Sequence, residues 1–231
     1  MKRLCLFIVF LCLHLHSKAQ FHEVGAFLGG GNYVGDIGGT YYVYPENPAF
    51  GLVYKWNRTT RYSLRANAMI MNIKKSDYSP IDFARFNRRY RFKNQIMEFS
   101  VGTEINYYDF NLHGNDKKIA PYLFLGLGFI RYNLFYHEPN TLENIEYGKG
   151  LDIALPAIIG VKANVSPFVV LGLELGVRYT FTDNLDGSAP ETEDGLINDL
   201  KFGNMNNNDW YVFTGLTISF TFGDLPCYCK E

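Results

Sequence analysis

The side chains of this 231-residue chain with chemistry to offer are few: five histidines, four cysteines, and charged residues set at alternate positions along apolar runs. Beyond the first twenty residues the histidines are His22, His113 and His137. Nucleophilic catalysis needs a serine or cysteine beside a histidine that a third group orients. Glu138 follows His137 in a stretch expected as a long outer loop, but no serine lies near it in sequence, and His22 and His113 fall at positions expected to face the periplasm. An enzyme is not expected. Cys227 and Cys229 form a C-x-C pair close to the C-terminus. Two thiols fall short of the about four ligands of a closed zinc site, and a bridge between such near neighbours would be strained. Their expected chemistry in an oxidising compartment is a disulfide to a partner chain, Cys227 or Cys229 supplying the thiol; the alternative is a pair of incidental thiols on a tail. No cofactor and no metal are expected.

The compartment follows from the start of the chain. Lys2 and Arg3 precede an apolar run, Leu4 to Leu15, and Ser17-Lys18-Ala19 offers a small-x-small cleavage site. Residues 1–19 therefore read as a secretory signal peptide, too short in its apolar core to span a bilayer as a helix. Val9-Phe10-Leu11 before Cys12 lacks the small residues of a lipoprotein signal. Removing Lys2, Arg3 and Lys18 from the 22 basic residues leaves 19 against 23 acidic, net −4, which argues against nucleic acid as a partner.

The charged residues sit in a pattern that calls for strands. In Val169 to Phe181 one set is Val169, Leu171, Leu173, Leu175, Val177, Tyr179 and Phe181, and the other carries Gly172, Glu174, Gly176 and Arg178. That is a period of two, at about twice the ordinary strand length of ~5–6 residues. Similar segments recur near residues 21–31, 48–56, 61–73, 94–107, 119–132, 151–165 and 210–222. About eight alternating strands predict an all-β chain, a transmembrane antiparallel up-and-down β-barrel over residues 20–222, with a periplasmic C-terminal tail at 223–231. Mean hydropathy of −0.11 looks soluble because averaging is blind to alternation. A strand of about 13 residues at ~3.3 Å each, tilted ~40°, reaches roughly 33 Å, enough for the hydrocarbon layer. Outer-membrane lipid would then touch the Val/Leu face. Lys55, Arg61, Arg65, Glu98, Glu104, Lys162, Glu174 and Arg178 would form a lumen charge network. Eight strands leave an interior that side chains fill, so a plug of ion pairs is expected rather than a pore.

The connections orient the barrel. Long stretches at 32–47, 74–93, 133–150 and 182–209 alternate with shorter ones at 57–60, 109–118 and 164–167. Short turns belong to the periplasm and long loops to the outside, which places both termini in the periplasm. Trp56, Tyr62, Tyr107 and Phe222 on the apolar face mark one interface, and Phe129, Tyr179, Phe181 and Trp210 the other. The 74–93 loop is basic and the 182–209 loop acidic. The two are expected to pair over the mouth, or the basic one to meet lipopolysaccharide phosphates, or both to be simply solvated.

Four stretches are more specific than the alternation: EVGAFLGGGNYVGDIGG at Glu23–Gly39, AFGLVYKWNRTTRYSLRA at Ala49–Ala66, NRRYRFKNQIMEFSVGTEINYY at Asn87–Tyr108 and APYLFLGLGFIRYN at Ala120–Asn133. They resemble the PorG-like proteins, small outer-membrane barrels of the type IX secretion system in Bacteroidota. The run Gly29 to Asp36 is the most telling. The resemblance implies a scaffold for protein transport and gliding motility, with a periplasmic ring of a PorK-like lipoprotein and a PorN-like protein as partners. The turns near 57–60, 109–118 and 164–167 and the tail would face that ring. The alternatives are a surface adhesin or membrane-integrity barrel acting through its long extracellular loops, and a lipid-A-modifying enzyme using His137.

Overall fold

The computed structural model describes residues 21–39, 41–78, 83–112, 118–138, 141, 143–192, 195, 197–204 and 206–223. The segment expected as a signal peptide, His113, Cys227 and Cys229 lie outside these residues. Eight strands run in order: β1 (Phe21–Val34), β2 (Asn47–Asn57), β3 (Tyr62–Ser76), β4 (Arg91–Asn106), β5 (Ile119–His137), β6 (Asn144–Ser166), β7 (Val169–Thr180) and β8 (Trp210–Phe222). Each pairs antiparallel with its neighbour in sequence, and β1 pairs with β8 from His22↔Phe222 to Val34↔Trp210, closing the barrel. A short helix, α1 (Phe83–Arg88), lies between β3 and β4, and a 3-10 turn, Asn198–Leu200, between β7 and β8.

The pleat sorts the two residue sets as their period requires. Leu52 is 66 % exposed and Leu151 75 %, whereas Glu104 is fully buried and Arg178 only 2 % exposed. A water-soluble fold hides its leucines and wets its charges; here the apolar residues form the outside wall. Among the described residues no helix is long and apolar enough to cross a membrane.

One end of the barrel carries the first strand's start, the last strand's finish and the connections 58–61, 107–118 and 167–168; it is called the turn end below. The opposite, cap end carries 35–46, 77–90, 138–143 and 181–209. The expected alternation of long and short connections fails at one place, where 138–143 at the cap end is shorter than 107–118 at the turn end. The stretch expected as a loop at 133–150 is mostly ladder: β5 continues to His137 and β6 begins at Asn144, with a bulge at Leu134/Phe135. The extension forms because Phe135 and His137 turn inward and are buried under the cap. Likewise β3 runs on to Ser76 and β4 starts at Arg91, so the 74–93 stretch is a loop only between them.

Candidate functional site

The lumen is the most constrained part of the molecule. Glu104 on β4 stands at its centre, where three cations converge. Lys162 Nζ lies 2.7 Å from Oε1, Lys55 Nζ 2.8 Å from Oε2 and Arg65 Nη1 3.1 Å from Oε2. Arg65 turns the rest of its fork on Glu174, Nη1 to Oε1 at 2.8 Å and Nη2 to Oε2 at 2.9 Å. This bidentate geometry matches a carboxylate better than a lysine can. The Tyr122 hydroxyl donates to Glu174 as well. Arg65 Nε continues to Asn67 Oδ1 at 2.6 Å, and Asn67 reaches the Ser100 hydroxyl at 3.2 Å.

A second carboxylate, Glu98, accepts from Ser100 Oγ at 2.9 Å, Tyr211 OH at 2.7 Å and Arg178 Nε at 3.2 Å. Arg178 also lies 4.3 Å over the Phe213 ring. Glu23 on β1 completes the set, accepting from Asn57 and Ser219. Buried charges persist only when paired and hydrogen-bonded. Here Glu23, Glu98, Glu104 and Glu174 are offset by Lys55, Arg65, Lys162 and Arg178, so the lumen set is neutral.

Seven of the eight residues expected in the lumen are therefore brought together. Arg61 is not among them. It sits in the turn before β3, more than half exposed, and pairs with Asp109 at 2.6 Å while donating to the Tyr107 carbonyl at 2.7 Å. Alternation places a residue inside only while the ladder lasts, and β3 begins at Tyr62. Glu174 and Arg178, two turns of the pleat apart on β7, do not meet each other; each finds its partner across the lumen. Sequence reasoning missed Glu23, Tyr122 and Tyr211. All three fall on the polar face of their strands, which was the available signal.

Glycines make room for this wiring. Gly160 faces Tyr122 across β5 and β6, and a Cβ there would lie 2.5 Å from the ring's Cζ. The gap lets the ring reach Glu174. Gly29 and Gly215, opposite each other on β1 and β8, leave space for the Phe27 ring.

Above and below the charges the lumen is apolar. Toward the cap end, Phe27, Val53, Met69, Met71, Ile73, Phe92, Ile96, Ile130 and Phe213 turn inward and pack with Ile37 and Leu185 from the loops. Toward the turn end Phe110, Leu112, Ala120 and Val170 form a smaller plug. The sealed interior is not arranged to pass solutes.

The cap is a packed element. Leu185 and Asp186 of the 181–209 loop are fully buried in it. Asp186 accepts from the amides of Ile37 and Ser188; Asp209 accepts from the Leu185 amide and the Tyr33 hydroxyl. The expected pairing of the basic and acidic loops takes another form. Arg88 pairs with Asp77 of its own loop at 2.8 Å, donates to the Asp36 carbonyl and stacks on Phe202. Lys75 pairs with Glu46, and Lys201 with Glu191. Arg88 and Tyr90 of the basic loop thus meet Phe202 of the acidic one through cation–π and aromatic contact. His137, expected in an open loop, is the buried last residue of β5; it stacks on Tyr90 at 4.5 Å and its Nε2 bonds the Asp186 carbonyl.

Outside, Tyr179, Phe181 and Trp210 form one aromatic cluster near the cap end, with Phe129 on the same face. His22, Tyr54, Trp56 and Phe222 form another at the turn end. Two aromatic belts bounding an apolar wall are the surface of a membrane-spanning barrel.

Similar solved structures include Ail, the attachment invasion locus protein of Yersinia pestis, at 10 % identity over 88 % of this chain and 99 % of that one, TM-score 0.47. Neisserial surface protein A matches at 10 % identity over 88 % and 97 %, TM-score 0.48. A major outer membrane protein from Thermus thermophilus matches at 13 % over 88 % and 100 %, TM-score 0.45. No curated protein matches the chain. A family model described as "Domain of unknown function (DUF6089)" matches residues 2–231, and the chain belongs to that family.

Proposed function

We propose that this protein is an outer-membrane scaffold of a type IX secretion machinery, tying a periplasmic ring to the membrane, with the turn end in the periplasm and the cap outside. The observation that carries the reading is the filled lumen. With Glu104 locked to three cations and apolar plugs on either side, the working surfaces left to the protein are its outer wall and its two ends. The resemblance to PorG-like proteins supports the choice of the turn end.

That rim is braced and partly apolar. Arg61 and Thr60 both bond Asp109, and Phe110 N bonds the Thr60 carbonyl, so the first and second turns hold each other. Tyr107 is 70 % exposed, and Tyr108, Val165 and Phe168 are also open to solvent. A preorganised rim lowers the ordering cost of docking.

The test is a mild-detergent pull-down of the native protein, with and without reductant, probing for PorK-like and PorN-like subunits. Co-purification that is lost in Tyr107→Glu/Phe168→Glu, in a variant that still folds, is the expected result. Release by reductant or by Cys227→Ser/Cys229→Ser would add the partner disulfide. Absence of ring subunits from a folded, membrane-inserted barrel would overturn the scaffold. The second reading, an adhesin, has the exposed Tyr41, Tyr42 and Tyr44 of the 35–46 loop in its favour. Deletion of outer loops that abolishes cell binding but spares secretion would select it.

A further inference from the structure

The outward-facing residues just beyond the apolar band at the cap end are unevenly charged around the barrel. On β3 the outward series runs Ala68, Ile70, Asn72, Lys74; on β4, toward the same end, Phe99, Met97, Gln95, Lys93, Arg91. On β5 it runs Leu127, Phe129, Arg131, and on β6 Ile153, Leu151, Lys149. All five cations are exposed. The other four strands end differently: Tyr179 on β7, Trp210 on β8, Leu28 and Gly30 on β1, Phe50 and Pro48 on β2. One half of the rim is basic, the other aromatic or neutral.

The basic half is also internally unrelieved. Lys74 and Lys93 are directly opposite in the ladder, an arrangement that costs energy unless an anion intervenes. None of the five cations makes an ion pair with a described carboxylate. The nearby acids are Glu146, which takes a hydrogen bond from Asn133 at 3.3 Å, and Glu143. Glu143 shares a cavity of about 490 Å³ with Tyr78, Arg89, Arg91, Thr141 and Asn144, immediately beyond the belt. Arg89 enters it from a left-handed backbone turn at φ 59° that ends α1.

Cations standing directly over a wall of Met97, Phe99, Phe129 and Leu151 ask for a ligand with an anion at one end and acyl chains at the other. We propose that β3–β6 form a docking surface for the phosphate-bearing headgroup of an outer-leaflet glycolipid. Three inter-strand spacings of ~4.8 Å spread the cations over about 14 Å. That is broad enough for a headgroup with more than one phosphate, and guanidinium groups engage phosphate oxygens in pairs. The inference rests on the membrane-spanning reading and the assigned orientation, and is independent of the ring.

The experiment uses the full barrel refolded in phosphatidylcholine vesicles. The probes are bisphosphorylated lipid A, the same lipid after phosphatase treatment, and phosphatidylglycerol. The expected result is at least tenfold stronger retention of bisphosphorylated lipid A than of either control, falling at least tenfold in Lys74→Glu/Lys93→Glu/Arg131→Glu. Lys74→Gln/Lys93→Gln, which removes the like-charge pair and should fold readily, is expected to lose retention as well. Arg58→Glu at the turn end should change nothing. Equal retention of dephosphorylated lipid or of phosphatidylglycerol, or unchanged retention in both multiple variants, overturns the proposal. A chain that never inserts into vesicles would instead defeat the membrane reading beneath it.

Discussion

The mid-lumen and the cap both bury carboxylates, and they hold them by different means. In the lumen each of Glu98, Glu104 and Glu174 meets a cation directly, and Glu104 meets three. In the cap Asp186 and Asp209 are fully buried, yet their partners are backbone amides and the Tyr33 hydroxyl. Burial raises Asp183 to about 7, with the charges of Asp36 and Asp186 adding to the shift. Asp36 is raised by burial and by Asp186, and Asp209 well above its usual range by burial and by Asp186. Asp183, Asp36 and Asp209, held among other acids without a lysine or arginine ion pair, are poised to take up a proton. The lumen is therefore held by ion pairs, and the cap by acids that respond to pH.

The sharpest way to break the lumen half of this contrast is Glu104→Gln. It leaves three buried cations around a neutral amide, and removing one partner from a buried ion cluster costs about 3–5 kcal/mol. Urea unfolding in lipid vesicles, followed by the gel-mobility shift between folded and unfolded barrel, should show the midpoint fall accordingly. Pairing the change with Lys162→Met should recover part of the loss. Next in size is Gly160→Leu. The new side chain meets the Tyr122 ring and the Leu173 carbonyl, and overpacking of this kind costs ~1–3 kcal/mol; the same unfolding assay reads it.

The cap half is tested by pH. The folded-state pKa of Asp183 lies above the ordinary aspartate value, so the cap favours its protonated form. Its stabilising contribution is complete below the unfolded value of about 4 and is lost as pH rises through about 7. Protection factors for hydrogen exchange in 181–209, taken against the base-catalysed intrinsic rate at each pH, should fall from pH 5 to pH 8 while those in the mid-strand ladder stay level. Asp183→Asn should flatten most of that dependence. The smallest effect belongs to Arg61→Ala. Arg61 and its partner Asp109 are both more than half exposed, so the unfolding midpoint should not move measurably even though the pair is close. A clear shift there would mean the turn-end rim stabilises more than its own geometry.

Most of the architecture was legible because a period of two leaves little freedom. Once Leu171, Leu173 and Leu175 share a face, Gly172, Glu174 and Gly176 must share the other, and ring closure sends that face inward. The lumen residues followed, except where the ladder stopped short at Arg61. Less legible was the apolar cap-end core. Met69, Met71, Ile73, Phe92 and Ile96 lie on the inward face of β3 and β4, where the alternation switches from polar to apolar. Read alone, that switch resembles a strand running out into a loop. Only the burial of Leu185 and Ile37, brought from far along the chain, gives those inward residues a partner. The stacking of His137 on Tyr90 was hidden for the same reason.

The β1–β8 ladder has a consequence for assembly. It joins residues as far apart in sequence as His22 and Phe222, so the cylinder cannot be sealed until the last strand has been delivered. Charge reinforces the point. Three lumen ion pairs join the first four strands to the last four: Arg65–Glu174, Lys162–Glu104 and Arg178–Glu98. Each half alone leaves these charges without their partners, which hydrocarbon does not tolerate. A half-built sheet is thus disfavoured in the bilayer by its own electrostatics, and pairing of the C-terminal strand with β1 completes both the cylinder and its charge network.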